Sequence, residues 1–423
     1  KVYQYIHFEP EAFTPDQIRI TNRYDFKDLS DFVLRWVVEA DGTEYAGGSM
    51  EMPQIKPGES QAVAMPLNLP REDSREFFLR LEAVYKNPTP FAEKDDIMAI
   101  AQWELPVSKK TAAVSPAGTN SLQVSESPAE TSITGTDFVI SFSKNNGQIT
   151  SLQYNKAEMI ERGLIPNFWR PLTDNDVANG TSERCGIWKK TSPTLTGFNI
   201  NKENERQITV QTTYQLASGA GYAEYLYTIL PDGIIKVDFS YRNDGKTLPE
   251  MPRFGMNMII PADYQQMNWF GRGPHENYAD RKTSALVGRY EHTVTEQYHP
   301  YVRAQETGNK CDVRWFTLSD KNGKGILIRG SQPLSVSAWN FDQETIDYVP
   351  FAIERRHGGS IRPKDFVWVN IDLLQMGVGG DNTWGAQVHP EYTITPLDRS
   401  YSFTIEPLAN IKQLDNQLEK KWF

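Results

Sequence analysis

The chain has 423 residues, of which 39% are apolar and 23% charged, and this length and balance predict a soluble globular protein of two or three domains. Its net charge of −10 argues against binding to nucleic acid or to an anionic membrane, because both need a basic surface. No apolar run approaches the roughly 18 residues of a membrane span.

The first ten residues, KVYQYIHFEP, lack both an initial methionine and the charged-then-apolar pattern of a secretion signal. We therefore expect a piece of a longer chain. The two cysteines, Cys185 and Cys311, have neither metal-ligand spacing nor the spacing of a disulfide framework. They are compatible with a reducing compartment such as the cytoplasm, and they do not exclude the periplasm.

Alternating apolar residues mark the first hundred or so positions as sheet. In FVLRWVVEADG, Phe32, Leu34, Trp36 and Val38 fall on one face, and Asp41-Gly42 predicts a hairpin turn. The stretches QIRITNRYDF and FFLRLEAVY alternate in the same way. Residues 1–107 are therefore predicted to form a β-sandwich of the immunoglobulin-like kind.

The composition changes between residues 108 and 132, where Ser, Ala, Thr and Pro dominate. This stretch predicts a domain linker. Because Val114, Leu122 and Val124 offer apolar side chains, we expect it to lie against a surface rather than to act as a flexible tether.

Apolar and polar residues alternate again over residues 133–423, and hairpin turns are predicted at Asn146-Gly147 and at Pro231-Asp232-Gly233. No repeat of fixed period is present, and no β-α alternation that would build a parallel barrel. The prediction is an all-β chain that ends in one large antiparallel sandwich. Functional sites are expected on its concave face or at the rim where loops gather.

Two glycine-rich stretches invite comparison with phosphate-binding loops, and both fail it. GVGGDNTW (377–384) lacks the Lys-Ser/Thr of a P-loop, and GRGPHENY (271–278) has a proline where a helix should begin. The six histidines show no paired metal spacing. In LTDNDVANG, Asp174, Asn175 and Asp176 resemble a calcium loop, but we prefer a turn whose carboxylates cap backbone N–H groups.

No nucleophile elbow is present for serine chemistry. Glycoside hydrolysis instead needs two carboxylates in a cleft, and two dense polar stretches, GRGPHENYADRKTSA and YVRAQETGNKCDVRWF, supply candidates. Their side chains include His275, Glu276, Arg303 and Glu306, which would line a sugar groove. Equally, such clusters form buried ion-pair networks that hold loops, and we prefer this structural interpretation.

Trp384 stands apart because it follows Gly379-Gly380-Asp381-Asn382 rather than an alternating strand. Glycine permits positive φ, and Asp or Asn fixes a turn by bonding its own backbone. The pattern predicts either a rigid loop that holds an indole ring at a rim or a plug that closes the end of the sandwich. Composition favours neither.

Four stretches, PNFWRPLTDND, FGRGPHENYADRKTSA, YVRAQETGNKCDVRW and MGVGGDNTWG, resemble the C-terminal region of the large β-galactosidases of glycoside hydrolase family 2. The first hundred residues look like the immunoglobulin-like domain that precedes this region. The resemblance covers essentially the whole chain and implies a final sandwich related to galactose mutarotases. In that family the catalytic glutamates lie on an α/β barrel that this sequence does not match.

The resemblance transfers one functional residue. It implies that Trp384 reaches into the barrel's active site as an aromatic platform for the galactoside, with Asp381 and Asn382 as polar neighbours. It implies no catalytic residue and no cofactor in this chain, since the Mg²⁺ and Na⁺ ligands of the family lie mainly in other domains. The implied partners are a β-galactoside, the barrel of the same polypeptide and further copies in a homo-oligomer, with no nucleic acid and no membrane.

The resemblance also implies that the chain alone is folded but inactive towards β-galactosides. Two alternatives stay open. One is a stand-alone carbohydrate-binding module that uses Arg303 or Glu306 on the concave face. The other is a weak aldose 1-epimerase, for which His275 and Glu306 are the one acid and base pair that we nominate.

Overall fold

The computed structural model describes residues 1–11, 16–110, 118, 120–349 and 356–423. Strands dominate these ranges, and the all-β prediction is confirmed. Among the described residues, every helix is too short or too polar to cross a membrane. The chain divides into two compact units, Lys1–Ala113 with Leu286–Arg289 and Val114–Ala285 with Tyr290–Phe423.

Nine strands belong to the first unit: β1 (Ile6–Pro10), β2 (Gln17–Asn22), β3 (Phe32–Ala40), β4 (Thr43–Glu51), β5 (Ser60–Ala64), β6 (Glu72–Asp73), β7 (Phe77–Tyr85), β8 (Ile97–Leu105) and β9 (Ser108–Lys109). They form sheets of order β1-β2-β5 and β4-β3-β7-β8, with a short parallel pair of β6 and β9. The apolar sides of the two larger sheets share one core.

The predicted turn of this unit is confirmed, and so is the predicted alternation of β2 and β3. The alternation predicted for FFLRLEAVY is wrong, because this stretch forms β7 and is almost continuously buried. Residues along β3 alternate between buried and half-buried, with Phe32, Leu34, Trp36 and Val38 on the buried face. The β3–β4 turn places Asp41 at φ 48° and Gly42 at φ 74°. Two successive positive φ angles are what a tight two-residue hairpin requires, and an Asp-Gly pair reaches them at low cost.

The second unit begins with a five-stranded antiparallel sheet of order β10-β11-β12-β13-β14. Its strands are β10 (Gln123–Glu126), β11 (Glu130–Thr134), β12 (Phe138–Ser143), β13 (Ile149–Tyr154) and β14 (Ala157–Glu158). β10 and the start of β11 fall inside the stretch predicted as a linker, so this part of it is sheet. Leu122 is buried and Val124 packs against the core, while Val114 lies outside the described residues.

A twelve-stranded sheet follows, and it belongs to this unit except for Leu286–Arg289 of β22. Its strands are β15 (Arg162–Asn167), β16 (Pro193–Asn204), β17 (Gln207–Leu216), β18 (Tyr222–Ile229), β19 (Ile235–Arg242), β20 (Arg253–Pro261), β21 (Gln266–Gly273), β22 (Leu286–Thr293), β23 (Lys310–Ser319), β24 (Gly325–Trp339), β25 (Phe366–Gln375) and β26 (Arg399–Leu408). Its main path is β15-β20-β25-β24-β26-β19-β18-β17-β16, and β21 and β23 extend it from β24. The described pairings are antiparallel, as predicted.

Helices are short: α1 (Asp174–Ala178), α2 (Thr181–Arg184), α3 (Gln343–Ile346) and α4 (Leu414–Leu418), with several 3-10 turns. Both predicted hairpins are confirmed, with Gly147 at φ 69° between β12 and β13 and Gly233 at φ 77° between β18 and β19. The buried side of β19 joins the aromatic core of the sandwich through Phe239, which lies against Tyr225 and Phe254.

Candidate functional site

Strand β25 is almost continuously buried, as its apolar sequence predicts, and the chain after it leaves the sheet as the Trp384 loop (residues 377–384). The side chain at the end of this loop is not part of any core, since Trp384 is 87% exposed. The alternative that this ring plugs the end of the sandwich is therefore wrong. The indole is therefore accessible to groups outside the sandwich core.

Two side chains hold the backbone of the loop. The carboxylate of Asp280 accepts the N–H groups of Val378 at 3.0 Å and Gly379 at 2.7 Å. Asn382 Oδ1 accepts the N–H of Trp384 at 2.9 Å and that of Ala386 at 3.3 Å. The predicted turn in which an Asn side chain bonds its own backbone is thus confirmed.

The predicted reason for the glycines is wrong. Gly379 and Gly380 were expected at positive φ, but in this segment only Gly385 has it, at 107°. The earlier glycines are needed for close approach instead. A Cβ on Gly377 would lie 2.6 Å from the Asp280 carboxylate, and one on Gly380 would lie 2.6 Å from the carbonyl oxygen of Ala386.

Beneath the loop, Arg170 fixes the point where the chain leaves the sheet. Its guanidinium donates to the carbonyl of Gly377 at 2.8 Å and also to that of Met376. It forms a two-point ion pair with Asp176, at 3.1 and 2.9 Å. Burial alone would lower the pKa of Arg170, but the Asp176 carboxylate raises it, so the guanidinium stays charged.

Asp176 also completes the start of α1. Its carboxylate accepts the N–H of Thr173 at 3.0 Å, while Thr173 Oγ1 accepts the N–H of Asp176 at 3.1 Å. This reciprocal capping confirms the preferred interpretation of the LTDNDVANG stretch. The described residues hold no group of three His, Cys, Asp or Glu side chains that could bind a metal ion.

A cavity of about 510 Å³ opens beside the Trp384 loop. Its walls come from the loop, α1 and the two polar stretches, and they include Asn175, Tyr278, Asp280, Glu306 and Thr383. This volume lies within the range of about 300–1,000 Å³ that is usual for small-molecule pockets. The loop that carries Trp384 is therefore one wall of a concave site.

Asp381, the other polar neighbour of the ring, points away from the backbone of the loop. Its carboxylate contacts His389 Nε2 at 2.7 Å, and Glu391 lies 3.7 Å from the other ring nitrogen. The hydrogen bond to Asp381 raises the pKa of His389 above its ordinary value. Asp381 and His389 are both exposed, so this contact lies at the outer edge of the site.

Three of the four sugar-groove candidates lie in ion pairs. Glu276 accepts from Arg281 at 2.7 Å, Arg303 pairs with Asp174 at 2.6 Å, and Glu306 pairs with Arg253 at 2.9 Å. For Glu276, burial would raise the pKa, but the hydrogen bonds to the carboxylate lower it. The preferred interpretation, a buried ion-pair network, agrees with the pair of Glu306 and Arg253, whereas Arg281 and Asp174 are exposed.

The pair of Glu306 and Arg253 is part of a buried triad. Arg253 also donates to Asp372 at 2.5 Å, and none of the three side chains is exposed. Because one guanidinium serves two carboxylates, the triad lacks one positive charge. Burial raises the pKa of Glu306. Burial, with a further contribution from the Glu306 carboxylate, raises the pKa of Asp372 to about 8 although Arg253 lowers it.

His275, the fourth candidate, is exposed and its Nε2 contacts Ser284 at 3.0 Å. Burial of part of the ring and the nearby cations lower its pKa. Of the described residues that line the cavity, Glu306 is one and His275 is not. No contact in the described part of the chain joins them as the nominated acid and base pair.

The supports of the loop were missed in the sequence. Asp280 lies in the polar stretch GRGPHENYADRKTSA, but its partners Val378 and Gly379 are 98 and 99 residues away. Arg170 lies in PNFWRPLTDND and reaches across 207 residues to Gly377. The sequence shows only a charged residue with apolar and aromatic residues nearby. This pattern does not indicate which distant residue the side chain contacts.

Comparison with known proteins identifies the family. The description "Beta galactosidase small chain" matches residues 134–406, which is more than half of the chain. The chain belongs to the β-galactosidase small-chain family. A second description, "Beta-galactosidase, domain 4", matches residues 18–106.

The small-chain assignment agrees with whole-chain relatives. A β-galactosidase of Priestia megaterium is 33% identical over 96% of this chain and 39% of its own length. One of Streptococcus thermophilus is 31% identical over 94% of this chain and 38% of its own length. This small-chain family member thus spans about two-fifths of the curated relatives that it matches.

Among solved structures, the galactose 1-epimerase of Lactobacillus acidophilus NCFM is similar to this small-chain family member over 69% of the chain and 99% of its own. The sequence identity is 10% and the TM-score 0.38. A TM-score this low establishes neither a common fold nor a common activity.

Proposed function

We propose that this chain is the C-terminal part of a retaining β-galactosidase that hydrolyses terminal β-galactosides. Its role would be to brace the catalytic barrel of the same polypeptide and to supply Trp384 to the substrate site. The proposal is supported by relatives named β-galactosidase of which the chain spans only 38–39%. The catalytic carboxylates and any Mg²⁺ or Na⁺ ligands would then belong to the remainder.

The observation that carries the proposal is the exposed indole on a fixed loop. Trp384 is 87% exposed, yet its backbone is tied by Asn382 and the loop is tied by Asp280. A ring that is already in place stacks on the apolar face of a sugar without a large ordering cost. An exposed ring on a mobile backbone would bind a sugar poorly, because the loop would have to become ordered. A buried ring on a fixed backbone would contribute only to packing.

The carboxylates of the described residues do not favour catalysis by this chain alone. A retaining glycosidase needs two of them about 5–5.5 Å apart, one acting as nucleophile and one as acid. Glu306 and Asp372 are instead buried against Arg253, and Glu276 accepts hydrogen bonds from Arg281 and the N–H of Gly308. These contacts tie the three carboxylates to neighbouring groups of the same chain.

The direct test is an assay of the purified 423-residue chain on a chromogenic β-galactoside, beside the longer enzyme at equal molarity. We expect no turnover by the chain above a buffer control. Turnover that is lost in Glu306→Gln or Glu276→Gln would show that this chain carries its own catalytic carboxylates. That result would contradict the proposed division of labour.

A further inference from the structure

A second cavity, of about 590 Å³, lies in the same unit and shares no lining residue with the one beside the Trp384 loop. Turns at the start of β12 and between β13 and β14, β18 and β19, and β23 and β24 form its walls, with the end of β26. Loops gathered at the rim of a rigid sandwich are where binding residues concentrate.

The floor of this cavity is apolar and fixed. It consists of Phe138, Tyr154, Met159 and Tyr264, all of them buried. The hydroxyl of Tyr154 donates to the carbonyl of Gly233 at 2.7 Å, and that of Tyr264 donates to the Met159 sulfur at 3.3 Å. Both hydroxyls are therefore committed to the protein, and the rings present carbon surface to a ligand.

The rim carries polar side chains that are not committed. The carboxylate of Asp137, the amide of Asn155 and the ammonium of Lys324 line the cavity and make no side-chain hydrogen bond to the described residues. Two other carboxylates at the rim are already bonded to the backbone: Asp232 accepts the N–H of Gly118 at 2.8 Å, and Asp320 accepts that of Lys324 at 2.9 Å. In the described part of the chain, Asp137 thus offers a hydrogen-bond acceptor, Lys324 a donor and Asn155 both, around the apolar floor.

This set of groups selects the class of ligand. A hydroxyl group both donates and accepts, so it satisfies Asp137, Asn155 and Lys324 together. An anion would be repelled by the carboxylates of Asp137, Asp232 and Asp320. We propose that this cavity binds a neutral saccharide of one or two rings, with its hydroxyls on the rim and its carbon face on the floor.

The test is a titration of the 423-residue chain with galactose and with glucose, followed by saturation-transfer NMR. We expect saturable binding of at least one of these hexoses. Asp137→Ala should weaken it about tenfold, the loss expected for one hydrogen bond to a charged group. The side chain of Asp137 is exposed, so this variant should fold, and an unchanged circular dichroism spectrum verifies that it does.

Two controls separate this site from the one at Trp384. Asp244→Ala removes another exposed carboxylate, one that lines neither cavity, and should leave the affinity unchanged. In Trp384→Ala, the part of the hexose binding that Asp137→Ala weakens should remain. Hexose binding that is lost in Trp384→Ala but kept in Asp137→Ala would overturn this inference while supporting the proposed function.

A further comparison in the same experiment tests the effect of a negative charge on the ligand. Galacturonate has the size of galactose and an added carboxylate, so it should bind more weakly than the neutral hexoses, and the difference should shrink at high salt. Absence of binding by both neutral hexoses, or tighter binding of galacturonate than of galactose, would overturn the proposal.

Discussion

Asn382 sets the backbone of Trp384: its Oδ1 accepts the N–H of the tryptophan at 2.9 Å, two residues further along the chain. The same oxygen also accepts from Ala386, so one side chain spans the residues that carry and follow the indole. Because the ring itself is exposed, these bonds and those of Asp280 determine where the backbone that carries it lies.

The first prediction concerns this bond. Asn382→Ala removes both hydrogen bonds without touching the ring, so in the longer enzyme it should raise KM for a chromogenic β-galactoside by about 2–10-fold, as expected for about 0.5–1.5 kcal/mol. Asn204→Ala is the matched control, because Asn204 Oδ1 makes the same kind of bond to Arg206 at 2.7 Å in an exposed turn. An equal KM in both variants would contradict this role.

The second prediction concerns Gly385, the residue after the tryptophan. Its φ of 107° is unfavourable for other residues, and an added Cβ would lie 2.8 Å from the carbonyl oxygen of Ala178. Gly385→Ala should therefore displace the loop and raise KM of the longer enzyme several-fold, with little change in unfolding free energy beyond about 1–3 kcal/mol of strain.

Gly186→Ala is the control for that substitution, since an added Cβ there meets nothing within 4 Å and its φ is not in the left-handed region. It should leave KM at the wild-type value. If Gly385→Ala also has the wild-type KM, the geometry of this loop does not matter for substrate binding.

The sequence predicts the turns that depend on adjacent residues, but it does not predict the contacts between residues that are far apart in the chain. Asp-Gly and Asn-Gly turns were predicted because each depends on two adjacent residues, as the φ angles of Asp41, Gly42 and Gly147 show. The Asn382 turn was predicted for the same reason. Asp280 was not matched to the loop, because the fold brings these segments together across about a hundred residues.

Two sequence interpretations failed for identifiable reasons. β10 and the start of β11 fall in the predicted linker because strands with one solvated side carry Ser, Thr and Glu in place of apolar residues. The loop glycines were assigned to positive φ, whereas Gly377 and Gly380 are glycine because neighbouring atoms lie where a Cβ would be. Close approach is a tertiary property that sequence spacing does not encode.

The third prediction concerns pH and the buried triad. Burial raises the pKa of Asp372 to about 8 in the folded state, against about 3.9 in an unfolded chain. A raised folded pKa contributes stability that is complete below about pH 4 and lost as the pH rises through 8. Asp372→Asn should therefore gain stability relative to the wild type between pH 5 and pH 9, measured as urea midpoints.

Asp244→Asn is the control, since Asp244 is an exposed carboxylate in the same unit. It should follow the wild-type pH dependence. If the difference between Asp372→Asn and wild type is the same at pH 5 and pH 9, Asp372 does not titrate in this range and the shortage of positive charge in the triad has no effect on folding.

The central claim is that Trp384 acts in a substrate site, and KM of the longer enzyme for a chromogenic β-galactoside measures it most directly. Trp384→Ala should raise KM about tenfold or more, equivalent to about 1.4 kcal/mol, and Trp384→Phe should recover part of the loss. Phe91→Ala, which removes an aromatic ring that is 81% exposed, should keep the wild-type KM. Wild-type KM and kcat in Trp384→Ala would contradict the account.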